Sequence, residues 1–232
     1  MDVAILVDTS EGISSIDFER EKNFVKSLVR SFTISSSLSR VSIMSYSNET
    51  DLTVNFADQQ TKKSLLRRVD ALPFLGGRTR INQALETAAA QLFSPSGTAR
   101  TAVPRTVVIV TTQCCQDRMT GSSRLNETVS LLRRNGVRIL VTAVCDDDDF
   151  DDEGLGTLVE DEEDIITADS FEGLAAVAQK VSAAASQVAG TYVYTRIHFA
   201  AFLKELCLLS SLSPLYRGEK PNPSQKHSGN EP

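Results

Sequence analysis

The chain has 232 residues, enough for one sizeable core, and its 41% apolar and 23% charged residues match an ordinary globular composition. A net charge of −6, from 24 basic and 30 acidic residues, argues against a nucleic-acid footprint, and no apolar stretch nears the roughly 20 residues that cross a bilayer. The only histidines are His198 and His227, so imidazole-based catalysis and histidine zinc sites are excluded from the body of the chain.

No basic-then-apolar leader precedes the first strand, so a secreted chain is expected to carry its leader outside this sequence. Val3-Ala4-Ile5-Leu6-Val7 is a continuous apolar run ending at Asp8, the pattern of a strand buried on both faces. Ser14 is placed to cap a helix near 16–32, with Asp17 in its first turn and Phe24, Leu28 and Phe32 on its apolar stripe. Its polar face is expected to carry Arg20, Glu21, Lys22 and Lys26. Residues 41–46 and 52–56 alternate and read as an antiparallel hairpin.

Helices near 61–70 and 80–93 follow, separated by Pro73-Phe74-Leu75-Gly76-Gly77. Residues 106–111 and 137–144 are further buried strands, with a helix near 123–135 between them. Ile165-Ile166-Thr167 makes a short last strand, and Asp169 with Glu172 opens a helix to about 188. The alternation predicts an α/β, doubly wound, mostly parallel central sheet with helices on both faces and one antiparallel edge strand. Residues 1–189 are assigned to this domain; residues 190–232 form a tail, with a short helix at 196–212 and then disorder.

In such sheets ligands bind beyond the carboxyl ends of the strands. The first of these loops is Asp8-Thr9-Ser10-Glu11-Gly12. One glycine does not make a phosphate cradle, and Ser10 stands where a haloacid-dehalogenase-type phosphatase needs a second aspartate. An α/β hydrolase or phosphatase using Asp8 or Ser10 is therefore the weakest alternative. Asp-x-Ser instead places a carboxylate beside a hydroxyl, hard oxygen donors that suit magnesium, manganese or calcium.

Asp8-x-Ser10, then Gly76-Gly77-Arg78-Thr79 before a helix containing Ala84-Leu85, then Asp169–Leu174, occur in an order that resembles the von Willebrand factor type A family over residues 2–188. The look is closest to its collagen-VI, matrilin and integrin-α branches. The resemblance implies a Rossmann-like fold and a non-catalytic adhesion or extracellular-matrix module, secreted, binding a protein such as collagen. It also implies a metal-ion-dependent adhesion site, where the acidic side chain of a partner completes the ion's coordination. Asp8, Ser10 and Thr79 match that pattern; Gly12 replaces its second serine, and Gln113 stands where its second aspartate belongs. With one carboxylate left, magnesium or manganese binding is expected to be weak or absent, and the site degenerate. Without metal, the same residues read as a hydrogen-bonded cluster that pins the loops, as in an intracellular scaffold on this fold.

The family's sheet order makes the strands before Cys114-Cys115 and Cys145 neighbours, which implies a disulfide to Cys145, taken as Cys115–Cys145; free thiols are the alternative. Asn48-Glu49-Thr50 and Asn126-Glu127-Thr128 fit the glycan acceptor pattern at Asn48 and Asn126. Twelve of the nineteen residues from 146 to 164 are acidic, leaving +6 on the rest of the chain. They read as a solvated acidic loop, or more sharply as a calcium or mineral-surface site or a steering element for a basic partner.

Overall fold

The fold is built around β1 (Asp2–Asp8), whose seven residues are all buried. The computed structural model describes residues 1–112, 123–145 and 152–187. In chain order the elements after β1 are α1 (Ser15–Ser31), β2 (Arg40–Tyr46), β3 (Thr50–Val54), α2 (Lys62–Asp70), α3 (Ile81–Gln91) and β4 (Arg105–Thr111). Then come α4 (Ser123–Arg134), β5 (Val137–Val144), a short α5 (Asp152–Gly156), β6 (Ile165–Ala168) and α6 over residues 174–187. The sheet runs β3-β2-β1-β4-β5-β6; β3 pairs antiparallel with β2 at one edge and the other pairings are parallel. The chain divides into a unit of residues 1–192 and a second of residues 193–232. The latter, with the tail helix expected at 196–212, lies outside the described residues.

Strand alternation feeds two cores. Val3, Ile5 and Val7 join Phe24, Leu28, Leu65 and Val181 on the face covered by α1, α2 and α6. Ala4 and Leu6 join Leu85, Ala88, Val129 and Leu132 on the face covered by α3 and α4. At the amino ends of the strands, the fully buried Asp2 is clamped by Arg40 (2.6 Å) and Arg100 (2.7 Å). Burial alone would raise this carboxyl; the two guanidinium groups outweigh it and hold Asp2 below the ordinary carboxylate range.

Two boundaries depart from expectation for local reasons. β3 covers residues 50–54 rather than 52–56, because Asn55 Oδ1 accepts from the Ala57 amide and Asp58 Oδ2 from the Asn55 amide, which turns the chain. The last helix begins at 174, not 169, because residues 169–173 turn first, with Ser170 Oγ accepting from the Gly173 amide at 3.3 Å.

The expected polar face of α1 is corrected at two residues. Glu21 is fully buried and Lys22 nearly so. Glu21 lies three residues after Phe18, four before Val25 and seven before Leu28, so helical geometry puts it on the apolar stripe. Lys22 escapes by extending its ammonium to Glu19 (2.6 Å) and over the Phe18 ring (5.0 Å). Glu21 does not escape: neither of its carboxyl oxygens has a hydrogen-bond partner. Burial, with the nearby Asp8 charge adding to it, pushes the Glu21 carboxyl well above its ordinary value; the Asp8 amide, outside bonding geometry, opposes this only weakly.

A raised pKa means that the folded chain holds this proton more tightly than the unfolded chain does. The resulting destabilisation is therefore absent below the unfolded value of about 4.3 and grows as pH rises. Glu21→Leu is expected to raise stability near neutral pH by about 1–3 kcal/mol, with the advantage shrinking toward about pH 4. Urea unfolding of both proteins across this range checks it; a pH-independent difference would contradict it.

Candidate functional site

Asp8 is the last residue of the central β1, where the sheet's direction of progress reverses: β2 and β3 lie to one side, β4 to β6 to the other. The loop after β1 meets the loop before α3 through two backbone bonds, Gly76 N to Thr9 O (2.9 Å) and Glu11 N to Gly77 O (2.8 Å). Gly76 and Gly77 both adopt positive φ (68° and 80°), the left-handed conformation that glycine takes without strain. Asn48, in the β2–β3 turn, closes on the same loop: its Oδ1 accepts from the Arg78 amide at 3.2 Å. A Cβ on Gly77 would stand 2.8 Å from Asn48 Nδ2.

This folding delivers Thr79 to Asp8. Thr79 Oγ1 reaches Asp8 Oδ2 (3.3 Å) and Ser10 Oγ (2.9 Å), while the Ser10 amide donates to Asp8 Oδ1 (3.0 Å). Thr112, just past β4, adds its hydroxyl to Asp8 Oδ2 at 3.4 Å. Asp8 is fully buried, and burial raises its carboxyl; bonds from Ser10, Thr112 and Thr79 offset only part of that. The cluster opens into a cleft of about 280 Å³ lined by Ser10, Glu11, Gly77, Arg78, Thr79 and Thr112. Phe74, 46% exposed and in edge contact with Phe18, stands on the same loop.

The donor set is one carboxylate and three hydroxyls, all hard oxygens. It fits a magnesium- or manganese-like ion in donor type but offers a single formal charge. Among the described residues, no group of three or more His, Cys, Asp or Glu could hold a metal.

Of the residues singled out from sequence, Asp8, Ser10 and Thr79 come together. Gln113, Cys114 and Cys115 lie outside the described residues, as does 146–151, most of the run offered for calcium. Cys145 is buried at the end of β5 and disulfide-bonded. Asn126 is exposed on α4, and Asn48 is exposed yet holds the Gly77 loop. At the end of the acidic run, Asp164 is not solvated: it is buried and doubly bonded to Arg138. Thr112 was missed as a candidate donor, although its place one residue past a strand neighbouring β1 puts it at the same sheet end.

The family model described as von Willebrand factor type A domain matches residues 2–180, and the chain belongs to this family. A human von Willebrand factor A domain-containing protein 2 is 34% identical over 53% of this chain and 17% of its own length. The mouse collagen alpha-4(VI) chain is 26% identical over 68% of this chain and 7% of its own. Rat von Willebrand factor is 28% identical over 48% and 26%. The chain thus spans about a quarter or less of these curated relatives. Among solved structures, proximal thread matrix protein 1 from the mussel byssus superposes with a TM-score of 0.67 at 25% identity, covering 79% of this chain and 45% of that one.

The loop geometry separates the two glycines. Gly76→Ala, with open space around the new methyl, is expected to cost about 1–2 kcal/mol for its positive φ alone. Gly77→Ala should cost more, because the methyl also displaces Asn48 from the Arg78 amide. Equal losses in urea unfolding would show that Asn48 does not constrain the loop.

Proposed function

We propose that this chain is a non-catalytic, secreted protein-binding module of the adhesion or matrix type that engages its partner through the cleft over Asp8. The observation that carries this reading is the convergence of Asp8, Ser10 and Thr79, held within 2.9–3.3 Å of one another at the carboxyl end of the central strand. A partner carboxylate would approach a weakly held divalent cation that Asp8, Ser10, Thr79 and Thr112 bind. Arg78 at the cleft mouth would add attraction for the same acidic group, and Phe74 would supply apolar contact.

A solved form of the mussel byssus protein is described as having a zinc-occupied metal-ion-dependent adhesion motif, and its fold matches this one with a TM-score of 0.68 at 20% identity. That likeness supports a cation at this place in the fold. The single carboxylate supports low affinity, since each charged ligand contributes strongly to hard-cation binding. Ser10 has no histidine to activate it as a nucleophile: its hydroxyl bonds with Thr79 and the Asp8 carboxylate, and the only histidines of the chain are His198 and His227. The bond at Cys145 supports an oxidising compartment, and the disulfide Cys115–Cys145 and a glycan on Asn126 belong to the same reading. A metal-free intracellular scaffold is the reading these features disfavour.

Immobilised collagen is the probe for the partner, read by surface plasmon resonance. Asp8→Ala and Thr79→Ala are each expected to weaken binding by about tenfold or more, and a magnesium midpoint should fall no tighter than about 10⁻⁴ M. Undiminished binding by folded Asp8→Ala would overturn the cleft as the binding face, and a micromolar midpoint would overturn the degeneracy of the site.

A further inference from the structure

One helical surface is basic in a chain whose net charge is −6. Lys62, Lys63, Arg67 and Arg68 are all exposed on α2. Lys62 Nζ donates to the Arg30 carbonyl at 2.7 Å, which brings the exposed end of α1 to the same surface. The carboxylates bound there are Asp58, 3.5 Å from Arg68, and Asp70, taken by Lys26 at 2.7 Å. Among the described residues, none is within ion-pair distance of Arg30, Lys62, Lys63 or Arg67. Some cations elsewhere are matched with acids: Arg40 and Arg100 with Asp2, Arg138 with Asp164, and Arg20 with Asp17 and Glu172. Others, such as Arg78, Arg80 and Lys180, form no ion pair among the described residues; α2 is set apart by having its unpaired cations side by side.

Folding uses Lys62, on the Arg30 carbonyl, and Arg68, on the Thr53 carbonyl, but does not call for the like charges beside them. Lys62 and Lys63 occupy the first turn of α2, which holds no acidic residue, so both oppose the helix dipole. Lys63 and Arg67 are one turn apart on the same face and repel each other. Both conflicts would be relieved by an anion lying across the surface.

We propose that Arg30, Lys62, Lys63 and Arg67, with Arg68 beside them, form a binding surface for a linear sulfated polysaccharide. The cations lie along an exposed helical face, which suits regularly spaced charges on an extended polymer rather than a ligand that needs enclosure. Guanidinium groups bind sulfate oxygens in pairs, and lysines add point charges. Release of counterions from the polyanion supplies most of the driving force, so binding weakens steeply with salt. Nucleic acid is the less suitable polyanion. The five residues include no aromatic ring for base stacking, and the choice of a sulfated polysaccharide rests on the secreted setting proposed above, which the disulfide at Cys145 supports. This surface does not depend on the reading of the Asp8 cleft.

Chromatography of the full chain on immobilised heparin tests the proposal. The wild type should be retained at about 0.1 M salt and released as salt rises, against its own net negative charge. Lys63→Glu with Arg67→Glu should elute in the wash, with affinity reduced about tenfold or more, and the neutral Lys63→Gln with Arg67→Gln should fall between. Arg124→Glu with Lys180→Glu, which makes the same charge change at exposed positions on α4 and α6, should elute as the wild type does. Failure of the wild type to bind, or equal losses in both reversed pairs, would overturn the surface. Preferential displacement by RNA would reassign it to nucleic acid. Low-salt self-association lost only in the Lys63/Arg67 variant would reassign it to the acidic run of a second copy.

Discussion

A single buried negative charge organises the carboxyl end of the sheet. Asp8 is taken out of water at the tip of the central strand, and no cation among the described residues neutralises it; its oxygens are satisfied by an amide and by hydroxyls. A carboxylate in that position is costly unless several donors converge on it, so it constrains every loop that supplies one. Ser10, Thr79 and Thr112 come from three separate segments, and their positions follow from the need to reach the same two oxygens. The glycines at 76 and 77 and the Asn48 clamp are best understood as the means of bringing Thr79 within range. The same unneutralised charge is what a cation, and through it a partner's acidic group, would find attractive.

The opposite end of the sheet solves its own buried carboxylate differently. Asp2 is as buried as Asp8 but meets two guanidinium groups, and its acidity moves in the opposite direction. One end is thus a closed ion pair that stabilises the fold, and at the other the carboxylate is held by uncharged donors alone among the described residues. Glu21 is a third case, a buried carboxyl with neither cation nor donor. Its proximity to Asp8 adds repulsion to burial, so the site end of the molecule carries electrostatic strain that the Asp2 end does not.

The two-sided core was legible because apolar runs such as residues 3–7, alternating with helical segments, suit strands buried on both faces of a helix-covered parallel sheet. The adjacency of the strands before Cys115 and Cys145 came from the family resemblance. Asp8, Ser10 and Thr79 were legible because strand-end loops are where such sheets hold ligands, and the family pattern aligns with them. Glu21 was misread because residue type was weighed above spacing: a glutamate was assigned to the polar face although its position falls between Phe18 and Val25 on the apolar stripe. Thr112 was not legible as a donor because its reach to Asp8 depends on the parallel register of β4 with β1, which sets which residue past β4 lies beside the Asp8 carboxylate. The start of α6 depended on a side-chain bond at Ser170, and the end of β3 on a turn at Asn55; such local bonds compete with the regular ladder without leaving a periodic trace.

The central claim is that the oxygen cluster at the tip of β1 is where this chain takes hold of a cation and its partner. Following backbone amide resonances by NMR during a magnesium titration tests it at residue resolution. The account requires progressive, fast-exchange shifts at Ser10, Glu11, Gly77, Thr79 and Thr112, absent in Asp8→Asn. Shifts confined to residues 146–164, with the β1 tip unmoved, would contradict it.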